Sequence, residues 1–170
     1  MTQNSKNAKN KKLGDIVSYI SKEFNIPISK GNLSLTRAKG EFKKLPKAVR
    51  LRIANDLPTA THELGHLLDD KYDFTSSANI DEIIDFAQRK SPTLMKQYKK
   101  SEVPGESVAE FVREFVKDPQ STIKEVPRFS KEFIETLSPK DAQALKTLSE
   151  YSQQYYNSDF MDKVDAAMTN

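Results

Sequence analysis

His62-Glu63-Leu64-Gly65-His66 decides how this chain is read, because it is an H-E-x-x-H segment and it uses both of the histidines the sequence contains. On a helix, residues four apart lie one turn apart on the same face, so both imidazoles can reach one divalent ion with Glu63 beside it. Two histidines placed at random in a chain of this length fall four apart in roughly 1% of cases, and a Glu follows the first in about 7% of those, or ~10⁻³ together. The spacing is therefore treated as chemistry.

Working outward, Asn55-Asp56-Leu57-Pro58 breaks the preceding segment, and Pro58 is tolerated in the first turn of a helix predicted over Thr59 to Asp70. Upstream, Ile16, Val17, Ile20 and Phe24 have helical spacing that stops near Pro27 and Gly31. Two extended stretches follow, Leu33 to Phe42 and Ala48 to Ile53, the second alternating Val49, Leu51 and Ile53 with Arg50 and Arg52. Downstream, helices are predicted over Asp81 to Arg89, from Ser91-Pro92 through Tyr98, and over Glu106 to Val116, the last set apart by Pro104-Gly105 and closed by Asp118-Pro119. Three more follow, over Pro119 to Glu125, Ser130 to Thr136 and Pro139 to about Ala166. The expectation is an α+β, predominantly helical fold with a small β-sheet before the motif helix.

The chain has 170 residues, 36% hydrophobic and 30% charged, which suits one domain with one modest core. Residues 1–12 are read as a basic tail or linker and 13–170 as the domain. A net charge of +3, with its excess near the N-terminus and between Lys39 and Arg52, argues against a general nucleic-acid footprint. The cluster Lys39, Lys43, Lys44, Lys47, Arg50 and Arg52 is either the wet side of two strands or a surface for an acidic partner. No apolar run approaches the ~18 residues of a membrane span, and the N-terminus lacks the apolar core of a secretory signal, so a cytoplasmic protein is expected, with delivery as part of a phage or effector polypeptide left open; a monomer is expected.

The chain has no cysteine, which excludes thiolate ligands, cysteine catalysis and a disulfide framework. Catalytic zinc takes three protein ligands and keeps a fourth position for water, whose pKa falls towards ~7. With two histidines and no cysteine, the third ligand must be Asp or Glu. Glu106 and Glu110, four apart on one helix face some forty residues beyond His66, are the conspicuous pair; one can bind metal while the other orients a histidine. The longer motif that recruits a third histidine needs Gly at 69 and His or Asp at 72, where this chain has Asp69 and Tyr72. Glu63 is placed to take a proton from water and pass it to a leaving amine. An oxyanion needs a further donor, for which Tyr98 is the first candidate and Tyr72 the second. Asp69 could accept a proton from an imidazole nitrogen, or be a surface charge. Tyr151, Tyr155 and Tyr156 read as a packing stripe.

His62-Glu63-Leu64-Gly65-His66-Leu67-Leu68-Asp69, followed by Glu106-Ser107-Val108-Ala109-Glu110-Phe111-Val112-Arg113, resembles the E-x-x-A-E-x-x-R arrangement of the catalytic domain of anthrax lethal factor and its relatives, zinc peptidases with a glutamate third ligand. The chain is also similar to peptidase domains embedded in large polyproteins of phages and mobile elements, through Phe24-Asn25-Ile26-Pro27-Ile28, Val49-Arg50-Leu51-Arg52 and Asn55-Asp56-Leu57-Pro58-Thr59-Ala60-Thr61. The resemblance covers residues 13 to 137. It implies a minimal gluzincin, zincin-like, with His62, His66 and Glu106 as Zn²⁺ ligands, Glu63 as general base, Glu110 as a carboxylate behind the ligands, and a tyrosine near Tyr98. The expected activity is hydrolysis of a protein or peptide substrate; the competing expectation is a zinc-stabilised, non-catalytic module that binds a protein or nucleic-acid partner.

Overall fold

Apolar residues at three-to-four spacing become helices throughout the last two thirds of the chain. The computed structural model describes the backbone of residues 13–25, 28–30, 40–43, 48–51 and 57–169, and the side chains of 15, 16, 18–25 and 57–157. Helix α1, Leu13–Glu23, buries Ile16 and Ile20. The motif lies on α2, Leu57–Tyr72, which ends where Asp73 adopts φ 57°, and a 3₁₀ turn follows at Phe74–Ser76. Then come α3, Ile80–Lys90; α4, Pro92–Met95; α5, Val103–Lys117; α6, Pro119–Glu125; α7, Pro127–Thr136; and α8, Pro139–Thr169.

Prolines set most of these starts, because a first-turn residue has no intrahelical partner for its N–H. This corrects one boundary: Pro104-Gly105 was expected to separate helices, yet both residues lie inside the first turn of α5. The helix expected from Ser91-Pro92 through Tyr98 is likewise only the single turn of α4.

Helix α5 is the hub, packing most extensively on α2 and also on α3, α6 and α8. Beneath it Phe111 meets Phe129 and Phe133 edge-on with centroids 4.8 and 4.9 Å apart, and Phe74 meets Phe133 at 5.0 Å. Phe74, Phe111, Phe129 and Phe133 are all buried, each contributing about 1.5–3 kcal/mol of transfer free energy. At the other end of α2, Asp141 of α8 accepts from the Tyr72 hydroxyl and, at 2.7 Å, from Lys71 Nζ. Tyr19 and Tyr151 pack edge-on at 5.2 Å and Tyr155 also packs on the core, while Tyr156 is exposed, so the expected stripe holds for two of its three tyrosines.

The α+β class expected from the sequence is corrected. Residues 57–169 contain no strand, and the described core comes from helices and the turns between them, so the fold there is helical. Short backbone pairings occur at Ile28–Lys30, Gly40–Lys43 and Ala48–Leu51, the third pairing parallel to the first and antiparallel to the second. The expected small sheet is not retained as a layer of the fold. The physical reason is length. Alternation over five residues marks extended backbone, but pairings of only three or four residues are too short to count as a layer on their own. The expected tail 1–12, the stretch 33–39 of the first extended segment and the basic residues Lys39, Lys44, Lys47 and Arg52 lie outside the described residues.

Candidate metal centre

Helices α2 and α5 can approach closely because small residues face each other. A Cβ built on Gly65 would lie 2.5 Å from Ala109 Cα and 3.1 Å from Val112 Cβ, so only glycine fits there. The consequence is chemical, since His62 and His66 flank Gly65 on α2 while Glu106 and Glu110 flank Ala109 on α5.

Glu106 Oε2 lies 2.9 Å from His62 Nε2 and 3.1 Å from His66 Nε2. The two imidazoles stand edge-on, centroids 5.1 Å apart. His62, His66 and Glu106 each offer one ligand atom within 4.8 Å of the others, a group that could hold a metal ion. Donors on one small tetrahedral cation lie about 3.3 Å apart, so the two contacts to Glu106 need open by only a few tenths of an ångström to admit an ion. The charge also suits a dication. Glu63, Glu106 and Glu110 gather around Tyr98, Arg113 pairs with Glu110 and with Glu114, and Glu63 and Glu110 are nearly fully buried.

The histidines and carboxylates shift one another's protonation strongly. Burial disfavours charge on His62, but its hydrogen bonds to Glu106 and Glu110 outweigh burial and raise its pKa to about 9. Burial would raise Glu106, yet its bonds to His62 and His66 lower it to about 2. Glu110 is opposed by burial in the same way and is lowered to about 2 by His62 and Arg113.

Each residue expected from the sequence can be placed. His62, His66 and Glu106 converge, and Glu110 Oε2 is 2.7 Å from His62 Nδ1, on the side of the ring away from Glu106. Glu63 is buried on α2 between the histidines. Tyr98 is half-buried beside the cluster; burial raises its pKa first, and then the charge of Glu106 and a hydrogen bond to it, with Glu110 and Glu63 adding. Tyr72, the second oxyanion candidate, is instead bonded to Asp141 on α8. Asp69 accepts from the Thr75 backbone N–H at 2.9 Å and so pins the 3₁₀ turn after α2; burial raises its pKa while the His66 charge lowers it.

Of two further residues near the centre, Arg113 is read from sequence only as the end of the E-x-x-A-E-x-x-R segment and an ion-pair partner of the glutamate ladder, and Ser91 is not singled out. Arg113 grips Glu110, and Ser91, at the α3–α4 junction, donates to it at 2.6 Å. The i, i+3 spacing from Glu110 was a usable signal for Arg113. Ser91 had none, because its approach depends on how α3 packs on α5.

Compared with protein-family models, curated proteins and solved structures, the chain matches none. Among the described residues no helix is long and apolar enough to cross a membrane.

Proposed function

We propose that the chain is a zinc-dependent endopeptidase whose ion is held by His62, His66 and Glu106. The observation that carries this reading is one carboxylate oxygen within hydrogen-bond distance of both histidine Nε2 atoms of an H-E-x-x-H helix, with Glu63 of the same helix beside them. When bound, zinc supplies a Lewis acid for the substrate carbonyl and lowers the pKa of water towards ~7.

The chain's own residues do the rest. Glu63, buried next to the ligands, takes the proton of the attacking water and returns it to the departing amine. Glu110 accepts the Nδ1 proton of His62 and so leaves the Nε2 lone pair facing the ligand position. Tyr98, held neutral by burial and the nearby carboxylates, donates its hydroxyl proton in a hydrogen bond to the oxyanion. The resemblance to the lethal-factor catalytic domain agrees with this division of roles.

The test is cleavage of a broad mixture of proteome-derived peptides, read by the new N-termini that appear. Zinc-loaded protein should generate a reproducible set, chelated protein none, and chelated protein should keep most of its helical circular dichroism. Loss of the helical signal on chelation, with no new N-termini from zinc-loaded protein, would establish a structural metal instead.

A further inference from the structure

Glu110 has four hydrogen-bonding partners' worth of lone pairs and all are used. Oε2 faces His62 Nδ1 at 2.7 Å and accepts from Arg113 Nε at 2.9 Å. Oε1 accepts from Arg113 Nη2 at 3.0 Å and from Ser91 Oγ at 2.6 Å. The carboxylate is 1% exposed, so water cannot substitute for any of them. The forked guanidinium fixes the carboxylate plane, and Ser91 fixes its rotation from a different helix junction.

Ser91 is itself anchored. Its backbone N–H donates to Ala87 O at 2.8 Å, closing α3, and its carbonyl accepts from Met95 N at 2.9 Å, opening α4. Arg113 Nη2 also approaches Ser91 Oγ at 3.3 Å and Glu114 Oε1 at 3.0 Å, so the guanidinium has little freedom to turn. We propose that Ser91 and Arg113 are positioning residues for the metal centre, a clamp that holds Glu110 in the one orientation that aims His62 Nε2 at the ion. The inference rests on the reading of His62, His66 and Glu106 as ligands. It adds that zinc affinity is set in part by the α3–α4 junction, through two residues outside the ligand group His62, His66 and Glu106.

Losing a group that supports a ligand typically weakens metal binding by about 10–100-fold. Zinc affinity measured by chelator competition should therefore fall about 10–100-fold in Arg113→Met and several-fold in Ser91→Ala. Arg113→Lys keeps the charge but not the fork and should fall between, while Ser91→Thr keeps the hydroxyl and should restore affinity. Absorption bands of the cobalt-substituted protein should shift in Arg113→Met and Ser91→Ala but not in Arg128→Ala, whose ion pair with Glu82 lies elsewhere. If Arg113→Met fails to fold, the Ser91 pair decides. Wild-type zinc affinity and cobalt spectra in folded Ser91→Ala and Arg113→Lys would overturn the clamp and leave the metal centre standing. A wild-type protein that binds no zinc would overturn both.

Discussion

Glu63→Gln should leave zinc content and affinity at the wild-type level and lower the peptide-cleavage rate by about 10²–10⁴-fold, the usual contribution of a positioned general base. The change is isosteric and keeps a hydrogen-bonding group at a position that is 5% exposed, so packing around α2 is conserved. It removes the one property the role requires, a group that accepts a proton and gives it up again. Because Glu63 is not a ligand, the ion should be retained. Paired measurement of metal and turnover thus separates the base from the ligands: loss of both would make Glu63 part of the metal's support, and loss of neither would remove it from the mechanism.

Gly65→Ala should destabilise the domain and weaken the centre together. Alanine is favoured over glycine in a helix interior by about 1 kcal/mol, which alone predicts a stabilised α2. Against that stands a methyl 2.5 Å from the backbone Cα of Ala109, a contact relieved only by moving α2 and α5 apart. Overpacking of this kind costs about 1–3 kcal/mol, and backbone against backbone belongs at the upper end, so a net loss of about 1–2 kcal/mol is expected in urea unfolding. The same separation pulls His62 and His66 from Glu106, so zinc affinity should drop at least about tenfold. A more stable Gly65→Ala protein with unchanged affinity would show that the helices do not depend on this contact.

The centre was more legible in the sequence than the fold around it. Scarcity made it so: two histidines at helical spacing and no cysteine left only a carboxylate for the third ligand, and Glu106 with Glu110 repeats that spacing. The helices after Pro58 were legible because apolar periodicity and proline starts act locally. The start of α5 was not, since Pro104-Gly105 is punctuation in either a loop or a first turn, and the Glu102 carbonyl accepting from Glu106 N–H at 3.0 Å is what closes that turn. Gly65 and Ala109 matter only as a pair across two helices, and Ser91 only through the packing of α3 on α5. Asp69 illustrates the same limit: its position one turn past His66 suggested a histidine partner, while its carboxylate accepts from the backbone N–H of Thr75 further along the chain. The sheet was inferred from alternation alone, which describes backbone conformation and not what a strand packs against.

The most direct test of the account is zinc binding by protein purified without chelator, with content and affinity measured side by side in wild type and Glu106→Ala. Wild type should hold one zinc per chain, and Glu106→Ala should bind at least about 100-fold more weakly, because two histidines and water are left to hold the ion. Equal affinity in the two proteins, or no zinc in the wild type, would contradict the His62–His66–Glu106 centre.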